Sequence, residues 1–327
     1  MTGVKILDKR KGMVKAVIIY AIAMIMSVAS FHITLLEMFN LIVVCVPFAA
    51  ASMISSDKEA GIAFIVSLIV LMLSTDRSYA IGTCIMYIMP SLIIGRITVL
   101  GKDRKSNEPV YIGMIIYMLS IITYALISKY MMNTDVVKVF IDTINKSVES
   151  RTQSMTPEQL EMLGNVDKRD IVTLMRNMVA VFLFIHAMIC SMITYYVGVA
   201  LAKRTDEVSI QRGLFSEFFL PGNPILFTAM MFLALYAMKY MELNIMADVA
   251  LANLQVIFNV LFSVQGISVG VYYIINIIRK KSRSLFLPSI ILIIMISFGG
   301  SVLMSIVGLL DCVMDFRKLR KVDKKSI

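Results

Sequence analysis

The chain has no tryptophan, two histidines, four cysteines and seven prolines in 327 residues, and only 17% of it is charged. Each scarcity removes a class of function. Two histidines, His32 and His186, cannot build a His-rich metal centre, and neither an HExxH pair nor a DxDxDG calcium loop is present. Cys45, Cys84, Cys190 and Cys312 lie in or beside apolar blocks with no CxxC spacing, which indicates neither a zinc site nor a disulfide frame. No glycine-rich phosphate loop and no GxSxG elbow occurs. Without a convergent acid, base and nucleophile, the sequence reads as a non-enzyme with no cofactor and no metal. The missing tryptophan, set beside 27 methionines, reads as an AT-rich coding bias rather than as chemistry.

What is present is apolar. Hydrophobic residues make up 58% of the chain, and the mean hydropathy is +0.82. They gather in blocks of about twenty, the length that crosses a hydrocarbon core as helix. Period-2 alternation is weak, which argues against an outer-membrane barrel. The expected fold is therefore all-α, a polytopic transmembrane helical bundle. The blocks run at Val14–Ser30, Ile33–Ser55, Gly61–Ser74, Tyr79–Leu100, Val110–Met132, Ile171–Ala202, Asn223–Met241, Ala247–Ile278 and Leu285–Leu310. The first follows a basic KILDKRKGMVK, and it reads as a spanning helix; a cleavable signal peptide ending near Ala29 is the alternative.

Orientation follows from Lys and Arg in the short connections. The N-terminus carries Lys5, Lys9, Arg10, Lys11 and Lys15; alternate loops carry Lys102, Arg104 and Lys105, then Lys203, Arg204 and Arg212, then Arg279, Lys280, Lys281 and Arg283. These read as cytoplasmic in a bacterial cell membrane. The last block is basic on both flanks, so it is expected to form a hairpin turning at Gly299-Gly300, with a cytoplasmic tail. Each arm, about 14 residues or 21 Å, is short for a full crossing. Where the chain leaves the bilayer, Asp311 and Asp315 share a helical face within reach of Arg317 or Lys318. This reads as a membrane-exit motif of exposed interfacial pairs, followed by a basic run resting on anionic headgroups.

Residues 133–170 read as an extracytoplasmic amphipathic helical insertion, a lid or packing platform. Thr156 with Pro157 marks a helix start within it. Its mixed, slightly acidic charge excludes a nucleic-acid module.

Polar residues inside apolar helices are costly and face a bundle interior or a wet cavity. In the eighth block Gln255, Asn259, Ser263, Gly266 and Gly270 fall within an arc of about 80°. They read as a helix-packing stripe with a GxxxG close contact, or as a ligand-facing wall. Toward the outer ends of the first six blocks lie His32, Glu37, Tyr87, Tyr124, Arg176 and Asn177, the candidate substrate-binding set.

Three stretches carry a resemblance: FSEFFLPGNPILF, NLQVIFNVLFSVQGISVGVYYI and GLLDCVMDFRKL. In that order they resemble the YybS-like family, multi-pass membrane proteins of Gram-positive bacteria. That family is in turn similar, over about the first 200 residues, to the substrate-binding S-components of energy-coupling-factor transporters. The resemblance implies an S-component-like six-helix half (residues 1–202) that binds a small molecule from outside, followed by C-terminal membrane helices (203–327). S-components dock a membrane partner through small residues at four-residue spacing in the first helix; this sequence departs from that pattern, with Ala23 and Ser27 forming one weak pair. The expected protein is a membrane component, without its own ATPase, that binds a small apolar or amphipathic ligand. Its other partners would be the lipid bilayer and further membrane proteins. The alternative is a ligand-free scaffold acting through helix faces and basic tail.

Overall fold

The computed structural model describes residues 2–100, 107–153, 168–205, 214–241, 247–281 and 300–319, and among them every regular element is helical. They are α1 (Thr2–His32), α2 (Thr34–Met38), α3 (Leu41–Ile54), α4 (Asp57–Ser74), α5 (Arg77–Leu100), α6 (Glu108–Met131), α7 (Val136–Gln153), α8 (Lys168–Asn177), α9 (Val179–Lys203), α10 (Pro224–Tyr240), α11 (Ala247–Lys281) and α12 (Gly300–Met314). A single helical turn, Phe215–Glu217, precedes α10. Among the described residues five helices are long and apolar enough to cross a membrane: Gly12–His32 within α1, α5, α6, α9 and Ala247–Asn276 within α11. The Thr156 start and the first arm of the expected terminal hairpin lie outside the described residues; Gly300 opens α12. The chain divides into two compact units, Met1–Arg212 and Gly213–Ile327.

In the first unit α3 lies at the centre, packed by α1, α5 and α9. Ala49, Ala50, Ala51 and Ser52 are fully buried there. Lipid tails are as apolar as leucine, so helices associate by close packing and hydrogen bonds rather than by hydrophobic gain. Both are present. A Cβ at Gly95 would meet the Ala49 carbonyl oxygen at 2.5 Å, so α5 comes onto α3 at backbone distance. The Ser52 hydroxyl donates to the Leu92 carbonyl at 2.7 Å, and Ser191 donates to the Val110 carbonyl at 2.6 Å. Tyr117 joins three helices, its hydroxyl 2.8 Å from that of Thr194 and 3.1 Å from that of Ser91.

Two wider helical turns interrupt this bundle, Leu41–Cys45 in α3 and Cys84–Ile88 in α5. Each stands just before a proline, Pro47 and Pro90. Proline has no N–H, and its ring collides with the carbonyl four residues back, here Val43 and Met86. Widening the preceding turn accommodates both. The two wide turns pack against each other, with the Cys45 thiol leaning on the Tyr87 carbonyl at 3.8 Å.

One end of this unit gathers Lys15, read above as cytoplasmic, with other polar groups. Arg96 pairs with Asp57 at 2.5 Å and donates to the Ser55 carbonyl; Lys15 donates to the Thr205 carbonyl at 2.7 Å. The opposite end places Phe31 against Tyr79 at 5.0 Å between ring centres. α4 starts from a capping box in which Ser56 and Glu59 satisfy each other's backbone N–H groups.

In the second unit α10 packs on α11 through Phe227 and Phe232 against Phe258. α11 and α12 cross at two glycines: a Cβ at Gly266 would strike the Met304 carbonyl, and one at Gly308 would strike the Phe262 carbonyl. The close contact therefore pairs Gly266 with Gly308 on the neighbouring helix. Gly308→Ala should lower the unfolding temperature in detergent, the overpacking costing about 1–3 kcal/mol. Gly61→Ala, where no atom lies within 4 Å of the added Cβ, should instead add about 0.5–1 kcal/mol. Equal behaviour of the two variants would contradict the crossing.

Candidate functional site

The densest polar arrangement lies in the second unit and is built from three separate stretches. Gln265 and Ser268 stand one turn apart on α11, and Asp311 sits in the last turn of α12. That helix stops at Met314 because Asp315 takes a left-handed conformation (φ 47°), and Lys318 does the same (φ 57°). The resulting turn folds Arg317 back onto the helix it has just left. The third stretch is the loop before α10, where Phe218 and Leu220 are buried as apolar plugs and Gly222 (φ +67°) turns the chain into the Asn223 cap.

Arg317 reaches four acceptors. It pairs with Asp311 Oδ2 at 2.8 Å and donates to the carbonyls of Ser216 and Phe218, each at 2.8 Å, and to Ser268 Oγ at 2.7 Å. Gln265 donates to the same Asp311 oxygen at 2.8 Å and accepts from the Leu220 N–H at 2.7 Å. The ion-paired side chains are 0% and 4% exposed. Gln265 lies eleven residues before Asn276, about 16 Å inside the end of the apolar span at 1.5 Å per residue. Ionisable groups at such depth are costly unless paired, and by default they mark function or specific assembly.

This corrects the reading of Asp311, Asp315 and Arg317 as exposed pairs. Asp311 and Arg317 are buried, because the loop at 214–222 covers them. Asp315 instead takes the Leu319 N–H at 3.0 Å and shapes the turn. The α11 stripe is also divided. Gln255 is exposed, Asn259, Ser263 and Gly270 are half-buried, and Gly266 is at the helix crossing. The polar residues that do the joining, Gln265 and Ser268, stand beside that stripe. Their signal was available: FSEFFLPG, Gln265-Gly266 and GLLDCVMDFR, the stretches carrying the resemblance, meet at this one network.

The six outer candidates do not close on one pocket. His32 is exposed, its ring edge-on to Phe31 at 5.0 Å. Glu37 and Arg176 are exposed, and Asn177 is half-buried at the end of α8. Tyr124 covers Gly82 on α5, where a Cβ would come within 3.1 Å of its ring, and Tyr87 is half-buried in the wide turn of α5. The residue that the pattern missed is Asn40, just ahead of the wide turn of α3. It is 7% exposed. Its amide and the Thr83 hydroxyl flank the Tyr79 hydroxyl, which donates to the Ser27 carbonyl at 3.2 Å. The other amide atom, Asn40 Oδ1, is buried with no partner. Separately, a groove of about 510 Å³ on α1 is lined by Ala21, Met24, Ile25, Val28 and Ala29, together with Val70 of α4. Among the described residues no cluster of His, Cys, Asp and Glu is suited to a metal ion.

Removing one partner of a buried pair strands the other charge, at about 3–5 kcal/mol. Arg317→Ala and Asp311→Leu should each cause a loss of that order in detergent unfolding. The double variant Asp311→Leu/Arg317→Met should recover most of it.

A search of curated proteins and of solved structures finds no match. The family model described as "Predicted membrane protein (DUF2232)" matches residues 21–312, from within α1 to the last turn of α12. With nearly the whole helical bundle inside that match, the chain belongs to the DUF2232 family of predicted membrane proteins.

Proposed function

We propose that the protein is a non-enzymatic component of the bacterial cell membrane that binds a small apolar or amphipathic ligand at the outer end of its first unit. The observation that carries this reading is Asn40 Oδ1. A buried amide oxygen without a donor forfeits about 1–3 kcal/mol, and a ligand hydroxyl, amide or ammonium group would relieve it. The α1–α4 groove supplies apolar wall for a hydrocarbon body, and a binding role in transport is what the resemblance drawn from the sequence to S-components implies. The ATPase, where one is needed, would be another protein. N- and C-termini both face the cytoplasm in this reading, consistent with the gathering of Lys15, Asp57, Arg96 and Thr205 at one end.

A ligand-free scaffold is the second reading. It draws on the second unit, where Asp311 Oδ2 and the two terminal nitrogens of Arg317 are held by the chain's own groups, Asp311 Oδ1 and Arg317 Nε alone of that pair being without a partner.

Native mass spectrometry of the purified protein separates the two: a bound small molecule supports the first, and a stoichiometric protein partner alone supports the second. Asn40→Leu should weaken ligand retention about tenfold, the loss expected for one buried hydrogen bond, without lowering stability. Tags after Ile327 and within 102–107 should be cytoplasmic, and one near Thr152 external. An external C-terminal tag would overturn the orientation.

A further inference from the structure

The two helices between α6 and α9 have a property the ligand reading does not use. On α7, Val136, Phe140, Ile144, Val137 and Ile141 share one face of about 140° at 100° per residue. All lie in its first half; the second half, from Asn145 to Gln153, is almost wholly polar. Ile141 and Ile144 are half-buried, and α8 packs on α7. Val137 and Phe140 remain 47% and 41% exposed, and Leu174 on α8 is 59% exposed. Apolar residues exposed on a solvated lid would be a liability, and their position along the chain says what covers them.

α7 begins five residues after the α6 span ends, and α8 ends two residues before the α9 span begins. The exposed apolar residues are therefore tethered beside the membrane boundary. The joint is fixed. Thr134 N–H bonds to the Ser128 carbonyl at 3.0 Å, Asn133 turns through a positive φ of 53°, Lys129 pairs with Asp135 at 3.6 Å, and Asp135 caps the Lys138 N–H at 3.0 Å. Just before the joint Leu126, Tyr130 and Met131 are exposed at the end of the apolar α6 span, at 52%, 75% and 71%. Tyrosine is a residue of the bilayer interface. The apolar surface of the span thus continues along the chain into Val137 and Phe140.

We propose that the first half of α7 lies in the membrane interface, with Val137 and Phe140 seated among the lipid acyl chains of the leaflet that α6 reaches. Lys138, Asp142 and Lys146 face the headgroups and water, as in interfacial amphipathic helices. The occupant is lipid, and the proposal is independent of whether the first unit binds a ligand.

The absence of tryptophan makes the test direct, since any introduced indole is the only one in the protein. Full-length Phe140→Trp, Val137→Trp and Asp142→Trp would be reconstituted into phosphatidylcholine–phosphatidylglycerol vesicles, with and without acyl-chain bromination. Phe140→Trp and Val137→Trp should emit to the blue of Asp142→Trp and lose about twofold in intensity in brominated lipid, as expected for side chains at the acyl boundary. Asp142→Trp should be unchanged. Red, unquenched emission from both apolar sites would place them in water, and blue, unquenched emission would place them under protein. Either result overturns the proposal, as does equal quenching of Asp142→Trp.

Discussion

The second unit depends on one charge pair. Arg317 and Asp311 are buried beside an apolar span, and neither is tolerable there alone. What makes the pair stable is the number of neutral dipoles gathered on it: two loop carbonyls, a serine hydroxyl and a glutamine amide. They are also tied to one another, Ser268 donating to the Phe215 and Phe218 carbonyls and Gln265 accepting from Leu220. The loop before α10, the middle of α11 and the turn after α12 are therefore held in one mutual arrangement. The glycine crossing of α11 and α12 belongs to the same constraint, because only backbone-to-backbone approach lets the short Asp311 side chain reach Gln265.

The first unit is organised differently. Among its described residues no charge pair lies at its centre; small residues on α3 admit α5 and α9 closely, and hydroxyl groups donate to carbonyls that the approach brings near. Two prolines then set where the regularity fails. The wide turns they require face each other, and Asn40, Tyr79 and Thr83 gather beside them at one end. A packing solution to missing N–H groups has thereby placed a buried polar atom without a partner, Asn40 Oδ1, beside irregular helix.

Much of the fold was legible because apolar runs define helices that must satisfy their own backbone in lipid. The run Val110–Met132 became α6 at Glu108–Met131, and Asn223–Met241 became α10 at Pro224–Tyr240. Breaks were less visible. Ile33–Ser55 read as one block, yet it divides into α2 and α3, and Ile171–Ala202 is interrupted at Met178 between α8 and α9. The sites were harder still, for a physical reason. Asp311 is buried by a loop about a hundred residues earlier, and Asn40 by helices from elsewhere in the unit. Helical periodicity assigns a residue to a face but says nothing of what a distant segment will lay across it. Gly266 was accessible from its GxxxG spacing, whereas its partner Gly308 stood in a stretch read mainly for its charges.

The position of Arg317 in the chain also orders events in time. Translation proceeds from the N-terminus, so Gln265 is made first, Asp311 next, and the guanidinium that neutralises Asp311 last. Until Arg317 emerges, the carboxyl must be kept at the aqueous boundary or carried inward as the neutral acid, with only Gln265 to receive it. The Ser216 carbonyl meanwhile waits without its Arg317 donor, while that of Phe218 has the Ser268 hydroxyl. The turn after α12 thus closes an arrangement whose other members are already in place, and a nascent protein short of that turn differs electrostatically from a finished one.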